Sequence, residues 1–336
     1  SQMCSATSST ATARSRIRWR TSASALYPGR KAVKAMAFIA GAGAANVDLL
    51  YENMPKIPDI GEEVYTNSFS LQLGGGLPAT LINLGRLGIE AKIATELGDD
   101  MFSAFAREKF CENGVTPVNI YKGNGIPLNI TSAIILKNDR SFITYGKGSI
   151  EPSDEAKETF YSIAKGAKIC LMQPGGFAEV YKRLKAEGTM MVLDMSWDED
   201  MSLDKYGDLL ETADIYTPNQ KEAMRITGTT DPYDAARALK AYFNKVIVKT
   251  DKDGCIGIDG DDEFFVKSVD EFKNKDSTGA GDAFLAGLCY GLFYDFPFKD
   301  CIKFGNITGG KAVTEVGALT AYVTEEELLR YKKEKF

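Results

Sequence analysis

Two carboxylates in "NKDSTGAGDAFLAGL" (274–288), Asp276 and Asp282, bracket the small residues Thr278-Gly279-Ala280-Gly281, and an apolar pattern at Phe284, Leu285 and Leu288 follows at once. Glycines at the mouth of a helix leave backbone N–H groups free to face a ligand, and the helix dipole favours an anion there. Gly279, Ala280 and Gly281 can therefore cradle a phosphate or an oxyanion. A carboxylate behind that cradle is wasteful for anion binding alone. It makes sense where the carboxylate takes a proton from a hydroxyl that attacks the phosphate. An ordinary acidic first turn has the same spacing, so spacing alone leaves both readings open.

The rest of the composition narrows the chemistry. Histidine is absent from the 336 residues, which removes His-based triads, His-ligated metals and His general bases. Acid–base work falls to Asp, Glu, Lys, Tyr or Cys. The six cysteines (Cys4, Cys111, Cys170, Cys255, Cys289, Cys301) form no C-x-x-C pair. That pattern argues against a zinc site and for reduced thiols in a cytoplasmic setting. A net charge of −6 gives no reason to expect a nucleic-acid partner. No apolar run approaches the ~18 residues of a membrane span.

The elements that must position these groups follow a βα rhythm. "AFIAGAGAANVDLLY" (37–51) reads as a buried strand running into a small-residue turn, and "GGGLPATLINLGRLG" (74–88) as a Gly-rich loop entering a helix. Strand–helix pairs recur: "AKIATEL" before 100–113, "AKICLMQP" before 176–187, "TMMVLDMS" before 203–212 and "ADIYTPN" before 219–227. Alternation of this kind predicts an α/β fold with a mostly parallel sheet covered by helices on both faces. Residues 53–73 and 116–147 break the rhythm with period-2 patterns, and "TSAIILKNDRSFITYG" reads as a hairpin turning at Asn138-Asp139. These strands are expected to form a small sheet lying over the main domain as a lid. "KVIVKT", "CIGID" and "EFFVK" read as neighbouring strands, before helices at about 280–293 and 298–314. Residues 1–35 are Ser/Thr/Ala/Arg-rich, with seven basic and no acidic side chains; the 33 basic and 46 acidic side chains beyond them leave −13. This stretch is expected to be a leader outside the fold, either targeting or vector-derived. The domain proper is expected to span 36–336.

Three motifs have plainer readings. "GAGAAN" (41–46) resembles a dinucleotide fingerprint, but Asn46 stands where the third glycine belongs. "GNITGGKA" (305–312) fits a P-loop pattern, but Ala312 replaces the required Ser/Thr and the stretch lies in a helical pattern. Asn219 and Glu222 in "NQKE" share a helical face, and a helix cap explains them equally well.

In this order, the motifs resemble one family, the ribokinase-like (PfkB-type) carbohydrate kinases. The resemblance covers roughly residues 37–325. "DSTGAGDAF" is similar to the family's carboxyl-terminal signature and "GGGLPATLINLGRLG" to its amino-terminal one. "ELGDDMF", "LDMS", "TPNQKEA", "VKTDKDGC" and "NITGGKAVTEVGA" match further stations in the expected order. The resemblance implies a ribokinase-like three-layer α/β/α fold and ATP-dependent phosphorylation of a sugar hydroxyl, with Mg²⁺ and K⁺. Asp282 then resembles the catalytic base, and Gly279, Ala280 and Gly281 the anion hole. Asn46, Asp48, Gly74 and Gly75 resemble substrate contacts. Asn219 and Glu222 resemble the pair that organises Mg²⁺, waters and phosphates, with Glu222 reaching the metal through water. Lys249 to Gly254 resembles the nucleotide strand, and Asn306 would lie near the base. Asp276, Thr278, Ala312, Glu315 and Gly317 resemble a monovalent-cation site. A homodimer through the lid is expected.

Two positions depart from the family pattern. Ala79 stands where a sugar-contacting Asn is usual, with Asn83 one turn on, and Lys249-Thr250-Asp251 replaces Thr-x-Gly. The expected activity is that of a sugar kinase. The alternatives are a nucleoside kinase of the same family, a sugar-binding pseudokinase and, in another class, a dehydrogenase using "GAGAAN".

Overall fold

The computed structural model describes residues 37–137, 139–146 and 151–336. The leader, Asn138 of the expected hairpin turn and Lys147 lie outside the described residues. A six-stranded parallel sheet runs in the order β10 (Ile215–Tyr216), β9 (Met190–Leu193), β8 (Ile169–Met172), β1 (Ile39–Ala42), β4 (Ala91–Thr95), β5 (Val115–Asn119). β1 and β8 are buried at every residue, as strands covered on both faces must be. Alternation along β1 shows the two coats. Ala40 and Ala42 join a core with Phe160 and Ala164 of the helix Asp154–Ala164. Gly41 instead faces Leu77 of the helix Gly76–Arg86. An antiparallel sheet of β11 (Lys245–Lys249), β12 (Gly254–Asp259) and β13 (Asp262–Lys267) is appended through one parallel bridge, in which Lys249 N–H donates to Pro218 O (2.9 Å). The expected three-layer α/β/α architecture is the one observed.

A second sheet has four strands, in the order β3 (Ser68–Gly74), β2 (Asn46–Glu52), β6 (Asn129–Ile135), β7 (Arg140–Tyr145). It is mixed, because β2 pairs β6 in parallel. The run 37–51, read as a strand running into a small-residue turn, does so, but a second strand follows the turn and joins the other sheet. Gly43 to Ala45 turn the chain out of the central sheet, and from Asn46 burial becomes partial, as in a sheet with one open face. Residues 116–119, expected in the lid, instead complete β5 at the edge of the central sheet, where Pro117 loses no ladder bond.

The helix Ala280–Phe293 is buried at eleven positions from Ala283 to Phe293 and packs against Phe298–Ala312 and Gly76–Arg86. "GNITGGKA" lies in Phe298–Ala312, so no P-loop forms, and "GAGAAN" leads from β1 into β2 with no helix behind it. Among the described residues no helix is long and apolar enough to cross a membrane. Cys170, Cys255, Cys289 and Cys301 are buried free thiols.

Candidate active site

The site lies at the carboxyl ends of the parallel strands, where loops from several strands converge. A cavity of about 360 Å³ opens there, with Gly76, Thr80, Gln173, Asp194, Trp197 and Asp282 in its walls. Asp282 occupies the first turn of Ala280–Phe293. Gly279 caps that helix in the left-handed region (φ 75°), and a Cβ there would come within 2.7 Å of Ala318 Cβ. Only glycine makes this turn without strain. Ala280 N–H donates back to Ser277 O (3.2 Å), and no side chain caps the amides that follow. The Lys249 ammonium lies 3.6 Å from the position a Gly281 Cβ would occupy. Uncapped amides, a dipole and a half-buried cation together fit a phosphate group.

Asp282 is half-buried. Burial, reinforced by the Asp194 carboxylate and opposed by Lys249, holds its carboxyl well above the usual carboxylate range. Asp194 follows β9 directly, accepts from Thr217 Oγ1 (2.7 Å) and pairs with Lys249 Nζ (3.4 Å). It lies within "LDMS", where residue type alone does not distinguish it. Its position just after a parallel strand was the available signal. Burial pulls the Lys249 ammonium down, but Asp194, Glu222 and Cys255 outweigh it and leave it above its ordinary value.

Asn219 and Glu222 do form a helix cap. Asn219 Oδ1 accepts from the N–H groups of Lys221 (2.9 Å) and Glu222 (3.0 Å), and Glu222 Oε2 accepts from Asn219 N–H (2.8 Å). The cap leaves Glu222 Oε1 uncommitted. Burial raises the Glu222 carboxyl above its usual range, against the Asn219 bonds and Lys249. Asp251 adopts φ 51° and turns its carboxylate to Gln220 Nε2 (2.7 Å). Gly254 also has positive φ (133°), and a Cβ there would meet Val266 O. Asn306 is closed internally: its amide donates to Val266 O and Lys267 O (3.0 Å each), and its oxygen accepts from Cys255 Sγ. It ties helix to sheet and does not line the cavity.

On the small sheet, Asn46 Nδ2 donates to Asp48 Oδ1 (2.5 Å) and Thr131 Oγ1 donates to Asn46 Oδ1 (3.2 Å). Burial raises the Asp48 carboxyl, against the Asn46 bond. Gly74 pairs with Asn46 across the ladder, and a side chain there would strike the Asp48 carboxylate. Gly75 has φ 98°, with Ala44 O 2.7 Å from where its Cβ would stand. Gly76 in turn lies close under Asp282, whose Oδ1 is 3.2 Å from the equivalent point. These glycines let the small sheet, the Gly-rich loop and Asp282 meet. Ala79 is buried and absent from the cavity wall, where Thr80 stands instead. Asn83 is also buried away from the cavity, and its Nδ2 has no partner among the described residues.

The set expected to hold a monovalent cation is differently engaged. Asp276 Oδ1 accepts from Arg140 Nη1 (2.6 Å), Thr278 N (3.0 Å) and Thr278 Oγ1 (2.7 Å), and Oδ2 accepts from Gly317 N (2.9 Å). Burial alone would raise this carboxyl, but the Gly317, Thr278 and Arg140 bonds hold it below its usual range. Glu315 pairs with Lys275 (2.8 Å), and Ala312 ends a helix in the core. A guanidinium already stands at the carboxylate, so these residues do not fit K⁺. Nothing local in the sequence pointed to Arg140.

A profile of the pfkB family carbohydrate kinases matches residues 36–325. Among curated relatives, the bifunctional protein HldE of Campylobacter fetus is 29% identical over 279 residues, covering 78% of this chain but 59% of HldE. The ribokinase of Mus musculus is 22% identical, covering 81% of this chain and 88% of its own. The cytidine kinase of Thermococcus kodakarensis is 25% identical, over 69% and 84%. The solved structure of Arabidopsis thaliana ribokinase complexed with ribose and ATP superposes with a TM-score of 0.74 at 23% identity, over 89% of this chain and 99% of that one. Thermotoga maritima ribokinase superposes at 0.73 and 19%, over 89% and 100%. With the family profile spanning most of the chain, and the helix-mouth turn, the Gly-rich loop and the central and four-stranded sheets all in place, the chain belongs to the pfkB family of carbohydrate kinases and is a sugar kinase on the ribokinase fold.

Proposed function

We propose that the chain transfers the γ-phosphoryl group of ATP to a sugar hydroxyl, with Asp282 as general base and the amides of 279–281 as the anion hole. The carrying observation is the meeting of an uncapped, glycine-opened helix N-terminus with the Lys249 ammonium and a carboxyl of raised pKa. Phosphoryl transfer needs positioning and charge stabilisation more than covalent chemistry, and these groups supply both. Asn46, Asp48 and the Gly74–Gly75 loop bind the sugar. Lys249 and the Thr250–Gly254 turn border the nucleotide. No group of three or more acidic, His or Cys side chains that could hold a metal occurs among the described residues. Glu222 Oε1 and Asp194 would hold Mg²⁺ through its waters, alongside the phosphates, as Mg²⁺ at nucleotide sites usually binds. Once bound, the metal neutralises phosphate charge.

Incubation with Mg-ATP across pentoses, hexoses and nucleosides, read by phosphorus NMR, tests the reaction. A phosphorylated sugar supports it, and hydrolysis or silence across the panel overturns it. A nucleoside substrate is the second reading. The cytidine kinase relative and Trp197, 47% exposed at the cavity wall, favour it, since an aromatic face can stack on a base. Two further parts of the proposal concern the surroundings of the site. Phe69 of β3 and Ile143 of β7, on the outer strands of the small sheet, share one of its faces, are more than half exposed and suit a homodimer through that sheet, which ultracentrifugation would detect. Residues 1–35 are a leader the kinase does not need, and a chain starting at Met36 should keep activity and melting temperature.

A further inference from the structure

Arg140 opens β7, the outer strand of the small sheet, and its partner Asp276 lies 136 residues on, in the loop before the 279–281 turn. The register gives the arginine its direction. Ile135, Ala133 and Thr131 of β6 face Arg140, Phe142 and Thr144 of β7, so alternate residues share a face. On that face Thr144 bonds Thr131 (3.1 Å), and Thr131 bonds Asn46. The strand that bears the guanidinium thus also supports the substrate-side pair Asn46 and Asp48.

At the other end, Arg140 Nη1 donates to both Asp276 Oδ1 (2.6 Å) and Thr278 Oγ1 (2.8 Å). Val313 O, the neighbouring carbonyl, is already taken by the N–H groups of Lys275 (2.8 Å) and Asp276 (3.2 Å). Both carboxylate oxygens, the threonine hydroxyl and this carbonyl are therefore engaged. A bare cation would have to displace the guanidinium or sit beside it against like charge.

We propose that Arg140 takes the place of a monovalent cation: it is a positioning residue that fixes the Asp276–Thr278 loop, and through it the 279–281 amides, from a strand of the small sheet. The proposal rests on the phosphotransfer reading above. It makes turnover independent of K⁺, and it ties the position of the small sheet to the order of the anion hole.

The test compares the full chain with Arg140→Ala and Arg140→Lys in potassium, sodium and choline chlorides at equal ionic strength. Three quantities are read: kcat, melting temperature, and the line width of thallium-205, a K⁺ surrogate visible by NMR. The wild type should give equal kcat and melting temperature in all three salts and no thallium broadening. Arg140→Ala should lose about 10- to 100-fold in kcat in choline, as expected for a displaced anion hole, recover part of it in potassium, and broaden the thallium line. Arg140→Lys should keep most of the rate and stay salt-independent. Potassium activation or thallium binding in the wild type overturns the proposal. So does an Arg140→Ala loss that potassium fails to restore, or no loss at all. Melting temperature and thallium line width need no turnover, so failure of the proposed reaction stays distinguishable from failure of this inference.

Discussion

Asp276 and Asp282 stand six residues apart on either side of one turn, and their surroundings are opposite. Asp276 receives four hydrogen bonds, one from a guanidinium, and is held below the carboxylate range. Asp282 faces a cavity, with burial and Asp194 pushing its carboxyl well above that range. A carboxylate whose lone pairs are satisfied has little basicity to offer and serves as an anchor. One held in a low-dielectric pocket beside another negative charge gains proton affinity, as a general base requires. Residue type and spacing do not separate the two, but their neighbours do.

The largest expected effect separates them kinetically. Asp282→Asn keeps the shape of the side chain and removes the proton acceptor. kcat should fall at least ~100-fold, within the range for a general base. ATP and sugar affinities, measured by calorimetry, should change by less than about tenfold. Asp276→Asn should lower kcat by only about tenfold and act mainly on stability. Its amide cannot accept from both Gly317 and Arg140 as a carboxylate does, and hydrogen bonds to charged groups are worth about 1.5–3 kcal/mol. If Asp276→Asn proves the slower enzyme at saturating substrate, the two roles are exchanged.

The same pair shows what was legible in the sequence. The turn, the helix and the place of Asp282 in its first turn were readable because they are local: glycines, then apolar spacing. The α/β/α layering was readable for the same reason. Arg140 was not, because strand pairing and sheet placement bring it to Asp276 across 136 residues. The second strand, β2, was hidden because Asn46 and Asp48 interrupt its apolar residues and the small residues before it read as a terminal turn. Ala79 and Asn306 show the opposite failure. Their motif positions suggested pocket contacts, and packing buried both.

A smaller effect should appear in pH dependence. A general base works only once deprotonated, so kcat/KM should fall on the acid side, at a pH above the ordinary carboxylate range. Asp194→Asn removes a negative neighbour, so the proton leaves Asp282 more easily and the acid limb should move to lower pH. An unmoved limb, or one moved upward, would show that Asp194 does not act on the titrating group.

The smallest effect is also the sharpest contrast, because the two aspartates should shift thermal stability with opposite sign. For Asp282 the folded pKa lies above the unfolded value of about 3.9. The neutral form is favoured in the fold, so stability is fully present below the unfolded pKa and is lost as pH rises through the folded one. At about pH 7, above the unfolded pKa, that stability is therefore reduced, and Asp282→Asn, which cannot ionise in either state, should melt higher than the wild type. That gain should vanish near and below about pH 4. For Asp276 the folded pKa lies below the unfolded value. Its stability is present above about pH 3.9 and is lost as pH falls through the folded pKa. Asp276→Asn should therefore melt lower than the wild type at about pH 7, with the deficit shrinking on acidification. Calorimetric melts of the three proteins from about pH 7 to about pH 2.5, which crosses the unfolded carboxylate pKa, decide it. Two shifts of the same sign at neutral pH would show that the surroundings of the two carboxylates are not opposed, and the division into base and anchor would lose its physical ground.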